Sequence, residues 1–304
     1  MATPSGLDNS IYISVHRSTQ GPGDARPAAQ QIITDYNLEG ILKGKDALIT
    51  GCSSGIGIEQ PKARTALQDL SEQNDSRIYI LPLDLSSLSS IRAFAEEFKS
   101  QSKGKLNIFI ANAGVMACPE GRTEDGFETQ FGTNHLGHFL LFHLLKDLLQ
   151  QSSTESLNSR AILLSSCAHQ AGSVHFDNLT LEGEYEPWKA YGQSKTANLW
   201  IVREIEARFG SRGLHSWAVH PGSIVTELQR HVSDELRKQW AENEELGRHW
   251  KDVPQGAATT VLAAVAPELE GRGGLYLEDT KVAELPGTGQ RRLWDVSEKL
   301  LGLV

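Results

Sequence analysis

The chain has 304 residues, of which 39% are hydrophobic and 22% charged, so it has the composition and length of a globular protein with one large α/β domain. A net charge of -9 repels nucleic acid and anionic lipid, and no apolar run approaches the ~20 residues of a membrane span. These features argue against nucleic-acid binding and against a transmembrane protein. Three widely spaced cysteines (Cys52, Cys118 and Cys167) and the absence of a basic-then-apolar leader predict a reduced, cytoplasmic protein.

The start of the chain shows no helical or strand repeat. It mixes Gly, Pro, Ser, Asp and Gln, a composition typical of weakly ordered segments. We therefore expect an N-terminal arm over residues 1–37 and a single domain over residues 38–304. No internal repeat and no Pro-rich linker indicates a second domain.

From Lys45 onward, short apolar runs alternate with longer amphipathic stretches, which is typical of a parallel sheet with crossover helices. The predicted strands are residues 45–50, 77–83, 106–112, 159–165, 214–220 and 273–277. The predicted helices are residues 91–100, 126–149, 191–210 and 256–266. The fold class is therefore α/β, with a Rossmann-like, doubly wound parallel sheet of about six strands.

Two long polar stretches follow strand ends, where α/β folds bind their ligands. We call residues 167–190 the first substrate loop and residues 223–254 the second. The tryptophans of these loops are expected either to line an apolar substrate pocket or to pack as structural aromatics; they are Trp188, Trp240 and Trp250.

The first predicted strand ends in the glycine turn ALITGCSSGIG. Gly51, Gly55 and Gly57 would allow a tight turn, close approach of a pyrophosphate to backbone N–H groups, and close helix packing. Ser53 and Ser54 add hydroxyl donors. Taken alone, the segment is equally compatible with an ordinary strand-to-helix turn.

Tyr191 and Lys195 are four residues apart on a predicted helix and share one of its faces. A neighbouring ammonium favours the ionised phenol, so the pair is typical of an acid/base that works nearer neutral pH. Ser166 follows the fourth predicted strand, and Asn134 lies inside the long helix. Individually, each of these side chains also has a plain structural explanation.

Together these features resemble the short-chain dehydrogenase/reductase family. They occur in the family's order: the glycine turn, Asp84 in LPLDLSS, ANAG at 111–114, Asn134, Ser166, the Tyr-x-x-x-Lys pair and HPGSIVTEL. The resemblance extends from Leu38 to Leu277 and is closest to the retinol-dehydrogenase and WW-domain-oxidoreductase-like branch.

The resemblance implies an NAD(P)-dependent oxidoreductase that transfers hydride between nicotinamide and a carbonyl or alcohol carbon of a small, apolar metabolite. It implies that Tyr191 is the proton donor or acceptor, and that Lys195 lowers the pKa of Tyr191 and binds the nicotinamide ribose. Ser166 would orient the carbonyl, and Asn134 would hold a water of the proton relay.

The resemblance also implies a set of cofactor-binding residues: Gly51, Ser53, Ser54, Gly55, Ile56, Gly57, Asp84, Asn112, Ala113, Gly114, Tyr191, Lys195, Pro221, Gly222 and Thr226. The branch favours NADP. NAD remains an alternative, because the Asp84 carboxylate would stand near the adenosine ribose.

One segment departs from the family. Only 19 residues, 58–76, separate Gly57 from the next predicted strand, which is too few for a helix, a strand and a second helix. Pro61 also falls inside the glycine helix. We therefore expect the usual second strand and its flanking helix to be missing, and residues 77–83 to pair with strand 45–50 through one right-handed crossover.

This departure leaves open which residues would contact a 2′-phosphate and whether the protein is catalytically active. Lys62 and Arg64 are the nearest basic residues that would meet a 2′-phosphate, although a solvated position suits them equally. A non-catalytic or impaired dinucleotide-binding protein is therefore the alternative function, and a lyase or epimerase is a weaker one.

Two further features concern metals and partners. His135, His138 and His143 lie on one predicted helix, but their spacing matches no zinc motif, so we expect no metal site and predict packing or capping roles. The long helices over 126–149 and 191–210 carry apolar residues beyond one narrow stripe, which favours a homodimer surface.

Overall fold

The computed structural model describes residues 12–52 and 79–304. The strands are β1 (Ala47–Ile49), β2 (Ile108–Ala111), β3 (Ser159–Leu164), β4 (Leu214–His220), β5 (Ser223–Ile224), β6 (Trp250–Lys251), β7 (Leu275–Glu278) and β8 (Lys281–Ala283). The α-helices are α1 (Ala29–Asp35), α2 (Leu88–Gln101), α3 (Thr129–Phe131), α4 (Gly137–Ser152), α5 (Pro187–Phe209), α6 (Asp234–Glu242), α7 (Glu244–His249), α8 (Val253–Val265) and α9 (Gln290–Leu300). A π-helical turn, Gly132–Leu136, joins α3 to α4.

The central sheet has six strands in the order β1-β2-β3-β4-β7-β8. All neighbours pair in parallel except β7 and β8, which pair antiparallel. The α/β class and the mostly parallel, Rossmann-like sheet are thus confirmed. A separate two-stranded sheet, β5 with β6, joins the two ends of the second substrate loop.

One of the six predicted strands, residues 77–83, differs in the structure. Residues 79–83 form no strand and do not pair with β1, and residues 77 and 78 lie outside the described part of the chain. Pro82 explains part of the error, because it has no N–H to donate to a ladder. Within the described ranges, β1 pairs with β2 alone, and the predicted pairing of residues 79–83 with strand 45–50 is wrong.

Side chains of the inner strands alternate between two apolar layers, as a pleated strand requires. On one face, Phe109 and Leu163 pack with α2, α4, α5 and α9. On the other face, Ile110 and Ile162 pack with α1 and α8. The sheet is therefore covered by helices on both faces and holds its carboxyl edge in a fixed position.

The long helices α4 and α5 are buried within the chain. Their leucine and isoleucine side chains belong to the core that covers the sheet, and none of the exposed large hydrophobic side chains of the described residues lies on either helix. The apolar surface that motivated the homodimer hypothesis is thus used inside the chain.

The described part of the N-terminal arm, residues 12–37, packs against the rest of the chain. Helix α1 packs against α8, and Tyr12, Ile32 and Leu38 are buried in the core of that face. Ile32 is fully buried. The polar residues beside the apolar positions of this short helix obscured its pattern in the sequence. No helix in residues 12–52 or 79–304 is long and apolar enough to cross a membrane.

Candidate active site

The carboxyl ends of β1 and β2 lie side by side. Gly51, just after β1, has a φ of +73°, and a Cβ at this position would lie 2.7 Å from the Ala113 Cα. Only glycine tolerates both the left-handed backbone and this close approach. Gly51 and the ANAG segment are therefore in direct contact, as the order of β1 and β2 in the sheet predicts.

Thr50 organises this contact through its hydroxyl. The Thr50 Oγ1 accepts the N–H groups of Asn112 and Ala113, both at 3.0 Å, and lies 2.9 Å from the His138 Nε2. Because the oxygen already accepts twice, its proton goes to Nε2, and the His138 Nδ1–H donates to the Asn134 carbonyl at 3.0 Å. Burial lowers the pKa of His138 to about 4, so the ring is neutral.

Asn134 lies in the π-helical turn and is fully buried. Its Oδ1 accepts the Val115 N–H at 2.8 Å, and its Nδ2 donates to the Val115 carbonyl at 2.9 Å and to the Ser194 Oγ at 3.0 Å. The Ser194 hydroxyl donates to the Tyr191 carbonyl at 2.8 Å. Asn134 thus connects the segment after β2 with the helix that carries Tyr191.

Tyr191 and Ser166 meet at the carboxyl end of β3. Tyr191 is 3% exposed, and burial raises the pKa of its phenol, while a hydrogen bond with the Ser166 side chain opposes that rise. Desolvation is the largest influence on the Tyr191 phenol in the chain by itself, and the expected lowering of its pKa by Lys195 stays a prediction. Ser165 is distinct, since its Oγ donates to the Lys195 carbonyl at 2.9 Å.

Lys195 is 4% exposed and has no acidic partner among the described residues. Its Nζ donates to the Leu164 carbonyl at 3.1 Å and lies 5.4 Å from the centre of the Tyr191 ring. Burial lowers the pKa of Lys195 to about 8. A buried ammonium with further protons to donate is suited to hydroxyl acceptors such as those of a ribose.

The segment after β4 approaches from the other side. Gly222 has a φ of +100°, and a Cβ there would lie 2.7 Å from the Lys251 Cδ. The Lys251 Nζ donates to the Pro221 carbonyl at 3.4 Å. Thr226 is exposed, and its side chain caps a short 3-10 helix, Glu227–His231, by accepting the Leu228 N–H.

Asp84 is exposed and begins the turn into α2. Its Oδ1 accepts the Ser86 N–H at 2.8 Å and the Ser86 hydroxyl at 2.7 Å. The second carboxylate oxygen accepts no hydrogen bond from residues 12–52 or 79–304. Several predicted cofactor residues lie outside the described part of the chain: Ser53, Ser54, Gly55, Ile56 and Gly57, together with Lys62 and Arg64.

The two substrate loops meet over Tyr191. The Trp188 ring lies 6.2 Å from the Tyr191 ring and 6.0 Å from the Trp240 ring, both edge-on, and Trp240 lies 6.2 Å from Trp250. Met116 and Val232 join Tyr191 in the same apolar cluster. The second loop contains the short helices α6 and α7. Together the two loops present an aromatic wall, made of Trp188, Trp240 and Trp250, beside the Tyr191 phenol.

Several supporting residues were not singled out from the sequence. Thr50, Ser194 and Lys251 hold the site together through the contacts above, yet none of them was assigned a role. Thr50 lies inside the glycine-turn motif and Ser194 inside the Tyr-x-x-x-Lys motif, and those positions were the available signal. His138 was predicted to pack or cap, and it connects Thr50 with Asn134 by hydrogen bonds.

The sheet, the glycine turn at its carboxyl edge and the Tyr191–Lys195 pair define a Rossmann-like oxidoreductase of the nicotinamide-dependent class. Comparison with known proteins gives the family. The sequence model described as enoyl-(acyl carrier protein) reductase matches residues 55–268. The chain is 44% identical to short-chain dehydrogenase/reductase prx1 of Penicillium roqueforti, over 96% of this chain and 95% of that protein. The chain belongs to the short-chain dehydrogenase/reductase family and is an oxidoreductase.

Two further proteins are similar. Retinol dehydrogenase 12 of Mus musculus is 38% identical over 86% of this chain and 88% of that protein. The NADPH-bound carbonyl reductase from chicken fatty liver superposes with a TM-score of 0.55 at 22% identity, over 79% of this chain and 98% of that one, and it supports the fold.

The comparison with the Penicillium protein also shows a difference in length. The alignment spans 324 positions whereas the chain has 304 residues, so at least 20 positions of the alignment, the difference between these numbers, have no counterpart in this chain.

Proposed function

We propose that the protein transfers hydride between a nicotinamide cofactor and the carbonyl or alcohol carbon of a small, apolar metabolite. The observation that carries this proposal is the meeting of Tyr191, Ser166 and Lys195 at the carboxyl end of β3, with the phenol and the ammonium both buried. When bound, the nicotinamide supplies or accepts the hydride.

In the reducing direction, Ser166 donates a hydrogen bond to the carbonyl oxygen and the Tyr191 phenol donates the proton to it. The raised pKa of Tyr191 keeps that proton on the phenol until the oxygen becomes basic. In the oxidising direction the same phenol must first lose its proton. The positive charge of Lys195, with its Nζ 5.4 Å from the ring centre, favours that loss.

Lys195 fits the nicotinamide ribose. One of its protons goes to the Leu164 carbonyl, and no other acceptor among the described residues is within bonding distance, which leaves two protons for ribose hydroxyls. We propose a positioning role for Asn134 in place of the water relay that the resemblance implies. All hydrogen-bonding atoms of its amide are engaged, and its carbonyl accepts from both His138 and Asn198.

We propose NADP as the cofactor. The same residues fit either nicotinamide dinucleotide: Gly51 and Gly114 lack a Cβ where the backbone must be approached, and Pro221, Gly222 and Thr226 follow β4 at the same edge of the sheet. The family branch and the NADPH in the chicken reductase support NADP. NAD is the alternative that the Asp84 carboxylate supports.

The proposed substrate class rests on the aromatic wall beside Tyr191. Trp188, Trp240 and Met116 offer apolar surface, and no ion pair of the described residues lies among them. We therefore propose an apolar carbonyl or alcohol substrate, in keeping with the name of the related retinol dehydrogenases. The three free cysteines fit a reducing compartment, and we propose the cytoplasm.

The test compares wild-type protein with Tyr191→Phe, using all-trans-retinal and a panel of apolar ketones, with NADPH and NADH. Removal of the phenolic proton is expected to lower turnover by roughly 10²–10⁴-fold and to leave the fold intact. Tyr276→Phe is the matched control, because Tyr276 is equally buried and its hydroxyl donates to Glu278 at 3.0 Å on β7. Wild-type turnover by Tyr191→Phe would contradict the assignment.

A further inference from the structure

The segment before β1 contacts the second substrate loop at both of its ends. Residues 16–26, which we call the N-terminal clamp, precede the part of the chain that resembles the family. They contact residues 248–250 near the end of the loop directly. They reach Lys251, and Pro221 just before the loop, through a chain of charged groups. This juxtaposition has no part in the function proposed above.

Arg26 makes the direct contact. Its side chain is 2% exposed, and the guanidinium donates to the carbonyls of His249 at 3.0 Å and Trp250 at 2.6 Å. Its Nε pairs with the Asp24 carboxylate at 2.8 Å. The Gly21 N–H donates to the Arg248 carbonyl at 3.1 Å. The guanidinium thus holds the carbonyls of His249 and Trp250, and its Nη2 also lies 3.4 Å from the Arg248 carbonyl. The planar fork spreads these donors more widely than a single ammonium does.

A second set of contacts runs through Asp279. The His16 Nδ1 lies 3.3 Å from the Asp279 carboxylate, which pairs with the Lys251 Nζ at 2.8 Å. Lys251 is 4% exposed, and its Nζ also donates to the Pro221 carbonyl. The start and the end of the loop are therefore held by the same short segment.

The clamp is connected to Tyr191 through aromatic rings. Trp250, whose carbonyl Arg26 holds, touches Trp240 of α6. Trp240 touches Trp188, and Trp188 touches Tyr191. Because packed rings have few alternative arrangements, a shift of residues 248–250 displaces the aromatic wall.

We propose that Arg26 is a positioning residue, which holds the second substrate loop closed over Tyr191 and thereby sets the affinity for the apolar substrate. Its effect on substrate rests on the proposed function, whereas its effect on the loop does not. The N-terminal segment is then part of the substrate site rather than an appendage.

The test is hydrogen exchange on the full chain, comparing wild type with Arg26→Met. Loss of several hydrogen bonds from a charged donor is expected to speed exchange of residues 223–251 by about tenfold or more and to leave β3 and β4 unchanged. Arg26→Lys should recover part of the protection. Tyr12→Phe is the control from the same end of the chain, because it removes a hydrogen bond to Asp35 of α1 at 2.7 Å.

A kinetic measurement separates positioning from mere stability. With all-trans-retinal and NADPH, Arg26→Met is expected to raise KM for the aldehyde while KM for NADPH and kcat stay near wild type. Unchanged exchange in residues 223–251 would overturn the proposal, and so would equal acceleration in the loop and the sheet. Faster exchange of residues 223–251 in Arg26→Met would support the proposed role of Arg26 even if Tyr191→Phe were active. An active Tyr191→Phe would contradict the proposed catalytic role of Tyr191 alone.

Discussion

Lys195 imposes a stability cost that substitution should relieve. Burial lowers its pKa from 10.5 to about 8, and at about 1.36 kcal/mol for each pKa unit the buried ammonium costs the folded state about 3 kcal/mol at pH 7. Lys195→Met removes this cost and one hydrogen bond worth about 1 kcal/mol. The Leu164 carbonyl keeps a partner, because the Asn198 Nδ2 donates to it at 3.1 Å. The net expectation is a gain of about 2 kcal/mol.

The pH dependence follows from the same pKa. Below about 8 the lysine is charged in both states, and the full cost is present. Between about 8 and 10.5 the unfolded chain binds a proton that the folded chain does not, so wild-type stability rises relative to the variant. Urea unfolding of the cofactor-free proteins at pH 7 and pH 10 measures the difference, and most of the gain is expected to vanish at pH 10.

Lys251→Met is the matched control. Lys251 is buried to the same 4% exposure but pairs with Asp279 at 2.8 Å, so its removal leaves a carboxylate without its main partner and should destabilise the protein. Loss of stability by both variants at pH 7, or an equal advantage of Lys195→Met at both pH values, would contradict the burial cost assigned to Lys195.

Two further predictions concern the cofactor side. Gly51→Ala should lower the free energy of unfolding more than Gly104→Ala. Both glycines have a positive φ (+73° and +77°), but only a Cβ at position 51 would lie against the Ala113 backbone. Equal losses of stability in urea unfolding would contradict a destabilising contact between that Cβ and Ala113. Calorimetry with NADPH and NADH should give dissociation constants toward the millimolar end of the ~1 μM–1 mM range typical of enzyme KM values, because the segment after the glycine turn is short. Low-micromolar binding would show that the site is competent and would retire the non-catalytic alternative.

Much of the fold could be predicted because its signals are local. β4 agrees with its predicted limits, and β2 and β3 differ by a few residues, since buried parallel strands appear as continuous apolar runs. The errors come from non-local effects. Residues 79–83 have the apolar content of a strand but lack a partner in the described sheet, and α1 is stabilised by α8, a helix more than two hundred residues away.

The site was predictable to the extent that it consists of short motifs. The sequence places Tyr191 and Lys195 on one helix face, and the structure brings them to Ser166. The sign of the pKa change at Tyr191 was not predictable, because it depends on burial by Trp188, Met116 and the second loop. The role of Arg26 could not be predicted either, because an arginine that donates to main-chain carbonyls requires no particular residue type at its partners.

Asn134 has no amide proton left to donate to a substrate, and few other residues could replace it. Its amide faces Val115 as a neighbouring strand would, taking the N–H and giving a hydrogen bond to the carbonyl. An aspartate has the same shape but sets oxygen against oxygen there, and a leucine leaves both groups unsatisfied. No residue reached by a single nucleotide change from an asparagine codon carries a paired amide donor and acceptor. Mutation at this codon is therefore expected to be removed by selection as strictly as mutation at Tyr191, the proposed proton donor, although for a reason of architecture.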